Sequence, residues 1–341
     1  MTTAAVRTGP ARLHLSENPY GPSPRALRAA QEALDPAVYP DPARSAPLAA
    51  IADRLGVAED QVAVANGSDE LVLLTALSLG DRTRPGATTA GTFPGYRVCL
   101  ETAGRGCEEV PLDGAHTDVR AVCAAMERAG VVYLCHPHNP TGAALDREQL
   151  DLLVERAAVT GTPLVVDEAY AEFAPAGTPQ LRDYLGSGAP LLSLRTFSKA
   201  YGLASLRVGY AVGSAELVAR VRAAQGAVPF SVNSAGQAAA VAALADREHL
   251  DEVRRQNALR RAWFRTELTV RGRRSLPSTT NFVAVPVTDS AHAEALLARD
   301  HDILVRDAGR FGFTGHLRVS LGPVEDLIRL LDALDVIDPV R

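Results

Sequence analysis

Three short apolar segments, each rich in branched residues, are separated by longer stretches of helical character. They are VVYLC at 131–135, PLVVD at 163–167 and PLLSLRTF at 190–197, and DREQLDLLVERAAV lies between the first two. Such alternation of strand and helix is typical of a parallel sheet that helices cover on both faces. The sequence therefore predicts an α/β fold.

Further segments extend this pattern on both sides. Helices are predicted at 24–34 and 45–55, and a third begins at Asn66 and continues into LVLLTALSL. One more strand is predicted at 206–213, after a loop too short for a helical crossover. From about residue 236 an Ala- and Arg-rich helical region precedes a series of shorter segments that predict a separate α+β domain: NFVAVPV, ILVRD and LRVSLG, with helices at 290–299 and 323–334.

The length of 341 residues also indicates about two domains. We divide the chain into an N-terminal arm at 1–42, a large domain at 43–235 and a small C-terminal domain at 236–341.

Charge and composition argue against nucleic-acid and membrane partners. The 35 Lys and Arg residues are balanced by 40 Asp and Glu residues, and the basic residues form no long tract. No apolar run approaches the roughly 18 residues that span a bilayer, and MTTAAVRTGPARLHL lacks the apolar region of an export signal. Four cysteines without a CxxC pair are typical of a reduced protein, so a cytoplasmic location is expected.

The chain has a single lysine, Lys199, beside 34 arginines. Arginine can replace lysine wherever only a surface charge is needed. A guanidinium cannot lose its proton in a protein, however, so it cannot attack a carbonyl. Lys199 is therefore a candidate Schiff-base lysine, although it could also be a chance remnant.

Polar side chains follow each of the three predicted strands. HPHNPTG at 136–142 follows the first, Asp167 and Tyr170 follow the second, and Thr196 to Lys199 follow the third. Because the carboxyl ends of parallel strands share one edge, we expect these groups to converge there. A Schiff-base lysine with a carboxylate facing a ring nitrogen is the donor set of pyridoxal phosphate (PLP). Asp167 could instead cap the helix that follows it.

The phosphate of PLP requires backbone donors at a helix start, hydroxyl groups and a cation. The segment Gly67-Ser68-Asp69 provides the helix start, Thr196 and Ser198 provide hydroxyls, and Arg207 provides the cation. Arg207 is one of 34 arginines, most of which are expected to be surface charges.

Nine short motifs span nearly the whole chain: SENPYGPSP (16–24), VYPDP (38–42), ANGSDE (65–70), TFPGY (92–96), HNPTG (138–142), VVDEAYAEF (165–173), RTFSKAYGLASLRVGY (195–210), TNFVAV (280–285) and LRVSLG (317–322). They occur in the order found in the fold-type I aminotransferases, and the chain resembles their histidinol-phosphate aminotransferase branch. The resemblance implies a large domain with a mostly parallel, seven-stranded type of sheet between helices, together with a smaller α+β domain. It also implies PLP as the cofactor.

The resemblance assigns roles to individual residues. Lys199 would form the Schiff base and carry the proton between substrate and cofactor, and Asp167 would keep the pyridine nitrogen protonated. Asn139 and Tyr170 would hydrogen-bond the phenolic oxygen of the ring, Tyr170 being counted with the catalytic residues, and Phe93 would stack on the ring face. The cofactor phosphate would be held by Ser68, Asp69, Thr196, Ser198 and Arg207.

Other implied roles concern the partner subunit and the substrate. Tyr39 would reach the phosphate from a neighbouring subunit, which implies a homodimer with shared active sites. Arg318 would hold the substrate carboxylate, and Tyr20 and Arg306 would hold a substrate phosphate, with Asn139 also near the substrate. Arg306 and Arg318 could instead be surface charges, as most arginines are.

The implied reaction is amino transfer from histidinol phosphate, a step of histidine biosynthesis, to a 2-oxo acid such as 2-oxoglutarate. The alternatives are an aromatic or specialised-metabolite aminotransferase, a phosphothreonine-type decarboxylase and, least favoured, a cofactor-sensing regulator, for which no DNA-binding segment is expected. Three features depart from the family pattern, namely the short lead before the NPYG motif, the histidines His136 and His138, and Ser205 where glycine is usual. His136 and His138 are interpreted as loop residues, and no metal site is expected.

Overall fold

The three predicted apolar strands lie side by side at the centre of a seven-stranded sheet. The computed structural model describes residues 9–340, and within them the strands are β1 (Ala11–Arg12), β2 (Val62–Ala65), β3 (Gly86–Thr89), β4 (Cys107–Val110), β5 (Leu112–Asp113), β6 (His116–Thr117), β7 (Val131–Cys135), β8 (Leu164–Asp167), β9 (Leu191–Thr196), β10 (Gly209–Gly213), β11 (Phe282–Pro286), β12 (Ile303–Leu304), β13 (Arg306–Asp307) and β14 (His316–Ser320). The strand order of the large sheet is β2-β10-β9-β8-β7-β3-β4. Strand β10 runs antiparallel to the other six strands of this sheet, as the short loop before it predicts.

Helices cover both faces of this sheet. The helices of the described residues are α1 (Pro24–Glu32), α2 (Ser45–Leu55), α3 (Gly67–Ser78), α4 (Gly95–Thr102), α5 (Val119–Ala125), α6 (Arg147–Thr160), α7 (Ala215–Gln225), α8 (Ser234–Ala245), α9 (Arg247–Val270), α10 (Ser290–Asp300) and α11 (Val324–Ile337). In β7, Val131 and Tyr133 pack into the cluster that contains α3, whereas Val132 and Leu134 pack into the cluster that contains α6. The strand is therefore apolar on both faces, which explains its continuous apolar sequence.

Helix α6 shows how local sequence sets the bounds of these elements. Asp146 accepts a hydrogen bond from the backbone nitrogen of Gln149 (2.8 Å), and the Gln149 side chain accepts one from Asp146 N (2.9 Å). This capping box starts the helix, and Gly161 ends it in the left-handed region (φ 66°). The predicted alternation of strand and helix is confirmed.

Two strands of the large sheet lack the apolar pattern from which the others were predicted. β3 has the sequence GATT and β4 the sequence CEEV, and they pair in parallel at one edge of the sheet. Neither sequence is rich in branched apolar residues, and β3 is joined to the central strands by its parallel pairing with β7.

A second, three-stranded antiparallel sheet has the order β11-β14-β13 and packs with α9, α10 and α11. The predicted helical region at 236–271 consists of two helices, α8 and α9, which meet at Asp246. The Asp246 side chain accepts hydrogen bonds from His249 N (3.3 Å) and from Ser23 Oγ (2.7 Å), so it caps α9 and ties it to the start of α1.

Residues 11–18, which we call the N-terminal strap, connect this second sheet to the large one. β1 pairs in parallel with β12, and Leu13 O accepts a hydrogen bond from Ser320 N (2.8 Å). At the other end of the strap, Asn18 Nδ2 donates to Ala200 O (2.9 Å). The predicted arm at 1–42 is described from residue 9 onward, and residues 1–8 lie outside the description. Within the described chain no helix has the length and apolar character needed to cross a membrane.

Candidate active site

A cavity of about 440 Å³ opens at the carboxyl ends of β7, β8 and β9. This is the edge at which a parallel sheet is expected to bind its ligand. Twelve residues predicted from the sequence line this cavity: Ser68, Asp69, Phe93, Asn139, Asp167, Tyr170, Thr196, Ser198, Lys199, Arg207, Arg306 and Arg318.

Lys199 follows β9 and presents its amine inside the cavity. Its Nζ donates a hydrogen bond to the carbonyl oxygen of Leu15 in the strap (2.8 Å) and lies 5.7 Å from the ring centre of Tyr170. Burial, together with the positive charge of Arg318, lowers the pKa of Lys199 from 10.5 to about 8. A larger fraction of the amine is therefore neutral near pH 7 than for an exposed lysine, as attack on a carbonyl requires.

Asp167 is the last residue of β8, and its carboxylate is buried. Oδ2 accepts a hydrogen bond from Tyr96 (2.7 Å), and Oδ1 accepts one from Ala169 N (3.1 Å). Burial raises the pKa of Asp167 to about 6, and the two hydrogen bonds oppose that rise. The bond from Ala169 N closes a local turn, and the next helical turn (Ala171–Phe173) begins only after Tyr170, so the interpretation of Asp167 as a helix cap is wrong. The other oxygen is fixed by Tyr96, a residue of the TFPGY motif for which the sequence predicts no role.

Hydroxyl groups and a guanidinium converge where α3 begins. Arg207 Nη1 donates to Ser198 Oγ (3.2 Å), and its Nη2 donates to Asp69 (2.9 Å). Thr196 Oγ1 donates to the same Ser198 oxygen (3.0 Å). These contacts join Thr196, Ser198 and Arg207 to Asp69 in the first turn of α3, which is a suitable arrangement for an anion.

Two glycines make this arrangement sterically possible. A Cβ on Gly209 would lie 2.7 Å from Gly67 C and Ser68 N, and a Cβ on Gly67, which has φ 82°, would lie 2.5 Å from Arg207 Nη2. Side chains at these two positions would displace the start of α3 or fill the space beside Arg207.

Arg318 lies on β14 and is buried at the other side of the cavity. Its Nη1 donates to Asn139 Oδ1 (2.9 Å) and its Nη2 to His14 O (2.6 Å). Its Nε is buried and has no hydrogen-bond partner among the described residues. The rings of Phe282 and Phe311 lie 5.4 and 5.1 Å from its guanidinium carbon.

Arg306 stands opposite Arg318 in the register of β13 and β14. Arg310 and Phe311, on the short 3-10 turn that follows β13, line the cavity as well. Sequence reasoning placed only a turn in this region. The sequence does place Arg310 four residues after Arg306, in a glycine-rich segment. With 34 arginines in the chain, this spacing alone does not indicate a binding residue.

Comparison with known proteins connects this geometry to a family. The sequence model of the family described as "Aminotransferase class I and II" matches residues 11–334. A histidinol-phosphate aminotransferase from a Geobacillus species is 36% identical over 331 residues, which is 95% of this chain and 88% of that protein.

The chain belongs to the class I and II aminotransferases. Among solved structures, histidinol-phosphate aminotransferase from Sinorhizobium meliloti in complex with PLP superposes with a TM-score of 0.84 at 30% identity, covering 96% of this chain and 90% of that one. A putative histidinol-phosphate aminotransferase from Erwinia carotovora atroseptica gives a TM-score of 0.87 at 25% identity, covering 96% and 97%. This aminotransferase is therefore a PLP-dependent enzyme.

The residues of the cavity fit PLP. The buried carboxylate of Asp167 provides a partner for a ring nitrogen, and the start of α3 with Ser198 and Arg207 provides an anion cradle. The cradle depends on the absence of side chains at Gly67 and Gly209. The amine of Lys199 and these two groups line one cavity, so a single molecule can contact all three.

Tyr20 and Tyr39 are the two predicted site residues that do not line this cavity. Tyr20 packs under Arg260, whose guanidinium carbon is 4.9 Å from the ring centre, and its hydroxyl is buried. Tyr39 is 78% exposed and stacks on Phe230 at 4.6 Å. The role of Tyr20 at the substrate phosphate and that of Tyr39 across a subunit boundary stay predictions.

His136 and His138 belong to the loop after β7, as expected. His136 Nδ1 accepts from Leu145 N (3.1 Å), and its Nε2 is 2.9 Å from Pro179 O. Burial lowers the pKa of His138 to about 4. Residues 9–340 contain no cluster of three or more potential metal ligands.

Proposed function

We propose that this aminotransferase transfers the amino group of histidinol phosphate to a 2-oxo acid such as 2-oxoglutarate. The observation that carries the proposal is the presence of Arg306 and Arg318, paired across two strands, in the cavity that holds Lys199. Two guanidinium groups suit a donor with a phosphate and an acceptor with two carboxylates. The Geobacillus relative, which aligns with 95% of this chain, carries the name of this activity.

When bound, PLP supplies the carbonyl that condenses with amines and the ring that accepts electrons from the substrate. Lys199 holds the cofactor and moves the proton to and from the substrate Cα, a task that a pKa of about 8 suits. The Asp167 carboxylate holds a proton at the ring nitrogen, and Tyr96 keeps this carboxylate in position.

We assign the remaining cofactor contacts as the resemblance implies. Asn139 and Tyr170 orient the phenolic oxygen of the ring, and Phe93 covers one face. The phosphate is held by residues at the start of α3 and the end of β9, namely Ser68, Asp69, Thr196, Ser198 and Arg207. The hydrogen bonds that join Arg207 to Ser198 and Asp69 support this assignment.

Arg318 holds the carboxylate of the acceptor or the corresponding end of the donor, and Arg306 holds the donor phosphate. The unpartnered Nε of Arg318 supports this role, because a buried donor without an acceptor is costly unless a ligand supplies one. We also assign Tyr20 and Asn139 to the substrate-binding residues, as the resemblance implies.

Activity against a panel of donors tests the substrate. Purified holoenzyme with 2-oxoglutarate is assayed with histidinol phosphate, phenylalanine, arginine and threonine phosphate. The proposal expects the highest kcat/KM with histidinol phosphate. A higher value with phenylalanine would assign the enzyme to aromatic amino acids, and carbon dioxide release from threonine phosphate would assign it to decarboxylation.

We propose that the enzyme is a homodimer in which Tyr39 contacts the cofactor phosphate of the partner subunit. The exposure of Tyr39 and its stacking on Phe230, also partly exposed, support a role at a subunit boundary. Mixed dimers of Tyr39→Ala and Lys199→Ala chains should recover part of the activity, since one of their two sites is intact. A fully active monomer in sedimentation would contradict this.

We further propose the division into an arm at 1–42, a large domain at 43–235 and a small domain at 236–341, and a cytoplasmic location. The separate three-stranded sheet and its own apolar cluster support the division. The four unpaired thiols, Cys99, Cys107, Cys123 and Cys135, support a reducing compartment.

A further inference from the structure

The charges that line the cavity are distributed unevenly between its two sides. On the side of the cofactor cradle, Arg207 is paired with Asp69, and Asp167 and Lys199 both line the cavity. On the other side, the lining of described residues contains Arg306, Arg310 and Arg318 and no carboxylate. Glu294, which lies behind the lining, pairs with Arg310, and among the described residues Arg306 and Arg318 have no carboxylate partner, so this side attracts a ligand with more than one negative charge.

Arg310 is held in place at the mouth of this side. Its Nη2 donates to Glu294 Oε2 (2.6 Å), and the other oxygen of Glu294 accepts a hydrogen bond from Asp307 N (3.1 Å). Glu294 lies on α10 and its side chain is only 16% exposed, whereas that of Arg310 is 61% exposed. One largely buried carboxylate therefore fixes both the start of the 3-10 turn and the guanidinium at its end.

Most of the N–H groups of Arg306 and Arg310 have no hydrogen-bond acceptor among the described residues. Arg310 donates one hydrogen bond to Glu294, and a guanidinium has five N–H groups. Within residues 9–340, no carboxylate oxygen lies within 4.0 Å of a side-chain nitrogen of Arg306. A ligand can therefore accept hydrogen bonds from Arg306 without displacing a carboxylate. It can also accept them from the N–H groups of Arg310 that do not bond Glu294.

We propose that Arg310 is a specificity-determining residue that binds the terminal phosphate of the amino donor together with Arg306, with Glu294 as its positioning residue. The inference rests on the proposed function, because it assigns the second phosphate contact in the same cavity. A phosphate monoester carries close to two negative charges at pH 7 and three acceptor oxygens. Two guanidinium groups that line one cavity, one on β13 and the other on the 3-10 turn that follows it, match that group better than they match a single carboxylate.

The test compares donors that differ only in the phosphate. Steady-state kinetics of the holoenzyme are measured with histidinol phosphate and with histidinol, each with 2-oxoglutarate. The variants are Arg310→Ala, Arg310→Lys and, as a control, Arg329→Ala, which removes an exposed arginine outside the cavity. Circular dichroism and thermal melting verify folding.

Arg310→Ala is expected to raise the KM for histidinol phosphate about 5- to 20-fold. A buried hydrogen bond to a charged group would have a larger effect, but solvent weakens the contact of an exposed side chain. The kcat, the KM for 2-oxoglutarate and the kcat/KM for histidinol should stay within about twofold. Arg310→Lys should recover part of the affinity, since it keeps the charge. An unchanged KM for histidinol phosphate would overturn the proposal, and so would an equal loss with both donors or a rise confined to 2-oxoglutarate.

A binding measurement separates this proposal from the proposed function. Inorganic phosphate is titrated as a competitive inhibitor of the holoenzyme, in which the cradle at α3 is already filled, against the best donor of the panel. Arg310→Ala is expected to weaken inhibition about 5- to 20-fold. If histidinol phosphate is not a substrate and this weakening is found, the proposed function fails and the anion site stands. Equal inhibition of wild type and Arg310→Ala contradicts the anion site, whatever the substrate is.

Discussion

The two sides of the cavity are built in different ways. On the cofactor side, Asp167 and Thr196 occupy the last positions of buried central strands, and each is hydrogen-bonded to a neighbouring side chain. On the substrate side, Arg306 belongs to a two-residue strand and Arg310 to a 3-10 turn at the surface. The first side is supported by the core of the large sheet, whereas the second depends on a few local contacts.

This difference separates the part of the site that fixes the chemistry from the part that selects the substrate. Moving Asp167 would require a change in β8, which is buried and paired on both sides. Moving Arg310 requires only a change in an exposed turn held by Glu294. Substitutions of Lys199 or Asp167 on the cofactor side should therefore lower kcat, and those on the substrate side should alter affinity.

The largest effect is expected from Lys199→Arg. Arginine keeps the positive charge but can neither release a proton nor form a Schiff base, so kcat should fall by about 10⁴-fold, the upper end for a positioned proton-transfer group. Borohydride treatment followed by mass spectrometry should locate PLP on Lys199 in the wild type and on no side chain in the variant. Covalent cofactor on a side chain of the variant would contradict the assignment, because the chain has no other lysine.

Asp167→Asn should have the next largest effect. The amide keeps the size of the side chain but not its charge, and kcat should fall about 10²–10³-fold, as for the loss of one preorganised electrostatic group. The measurement is kcat at saturating PLP, with the exposed Asp60→Asn as the control. A variant with more than a tenth of the wild-type kcat would exclude Asp167 as the partner of the ring nitrogen.

The same substitution should stabilise the cofactor-free protein. Burial raises the pKa of Asp167 from 3.8 to about 6, so the unfolded chain loses this proton first as the pH rises. The free energy of unfolding therefore falls between about pH 4 and pH 6, by a total of about 3 kcal/mol, and the loss persists above pH 6. Asp167→Asn should have a higher Tm than the wild type at pH 7 and a similar Tm at pH 4.

The central strands and the cofactor side could be predicted from the sequence for a physical reason. Burial on both faces forces continuous apolar strands, and the polar residues that follow them must then lie on one edge. The hydrogen bond of Tyr96 could not be predicted, because its partner Asp167 is 71 residues away and a tyrosine in a helix is usually a packing residue. The place of Arg310 in the cavity could not be predicted either, because it depends on a hydrogen bond to Glu294 that joins the 3-10 turn to α10. Neither pairing leaves a periodic pattern.

On the substrate side, Arg306→Ala should weaken binding of a phosphorylated donor by about 1.5–3 kcal/mol, the range for a hydrogen bond to a charged group. The loss should appear in KM, because β13 and the cofactor side are not altered. The half-reaction with a small unphosphorylated donor should remain nearly unchanged, and single-turnover absorbance measurements can follow both. Equal losses for the two donors would show that Arg306 supports the fold of the cavity rather than the phosphate.

The smallest effect is expected from Tyr96→Phe. The ring keeps its packing against Phe93 and Tyr133, but Asp167 loses a hydrogen bond worth about 0.5–1.5 kcal/mol. Because that bond lowers the pKa of Asp167, its loss should raise this pKa and move the acid limb of the activity profile to higher pH. Tyr133→Phe, which removes a buried hydroxyl bonded to Thr75, is the matched control and should leave the profile in place.

The N-terminal strap acts on the site through its backbone. The carbonyl oxygens of Leu15 and His14 accept the hydrogen bonds of Lys199 and Arg318, one cation from each side of the cavity. Every amino acid carries that carbonyl, so no substitution at these two positions removes an acceptor. Deleting or inserting one residue in the strap, by contrast, would turn the next carbonyl in the opposite direction. The contribution of His14 and Leu15 to these two hydrogen bonds therefore depends on the number of residues in the strap and on the path of its backbone, and not on which side chains the two positions carry.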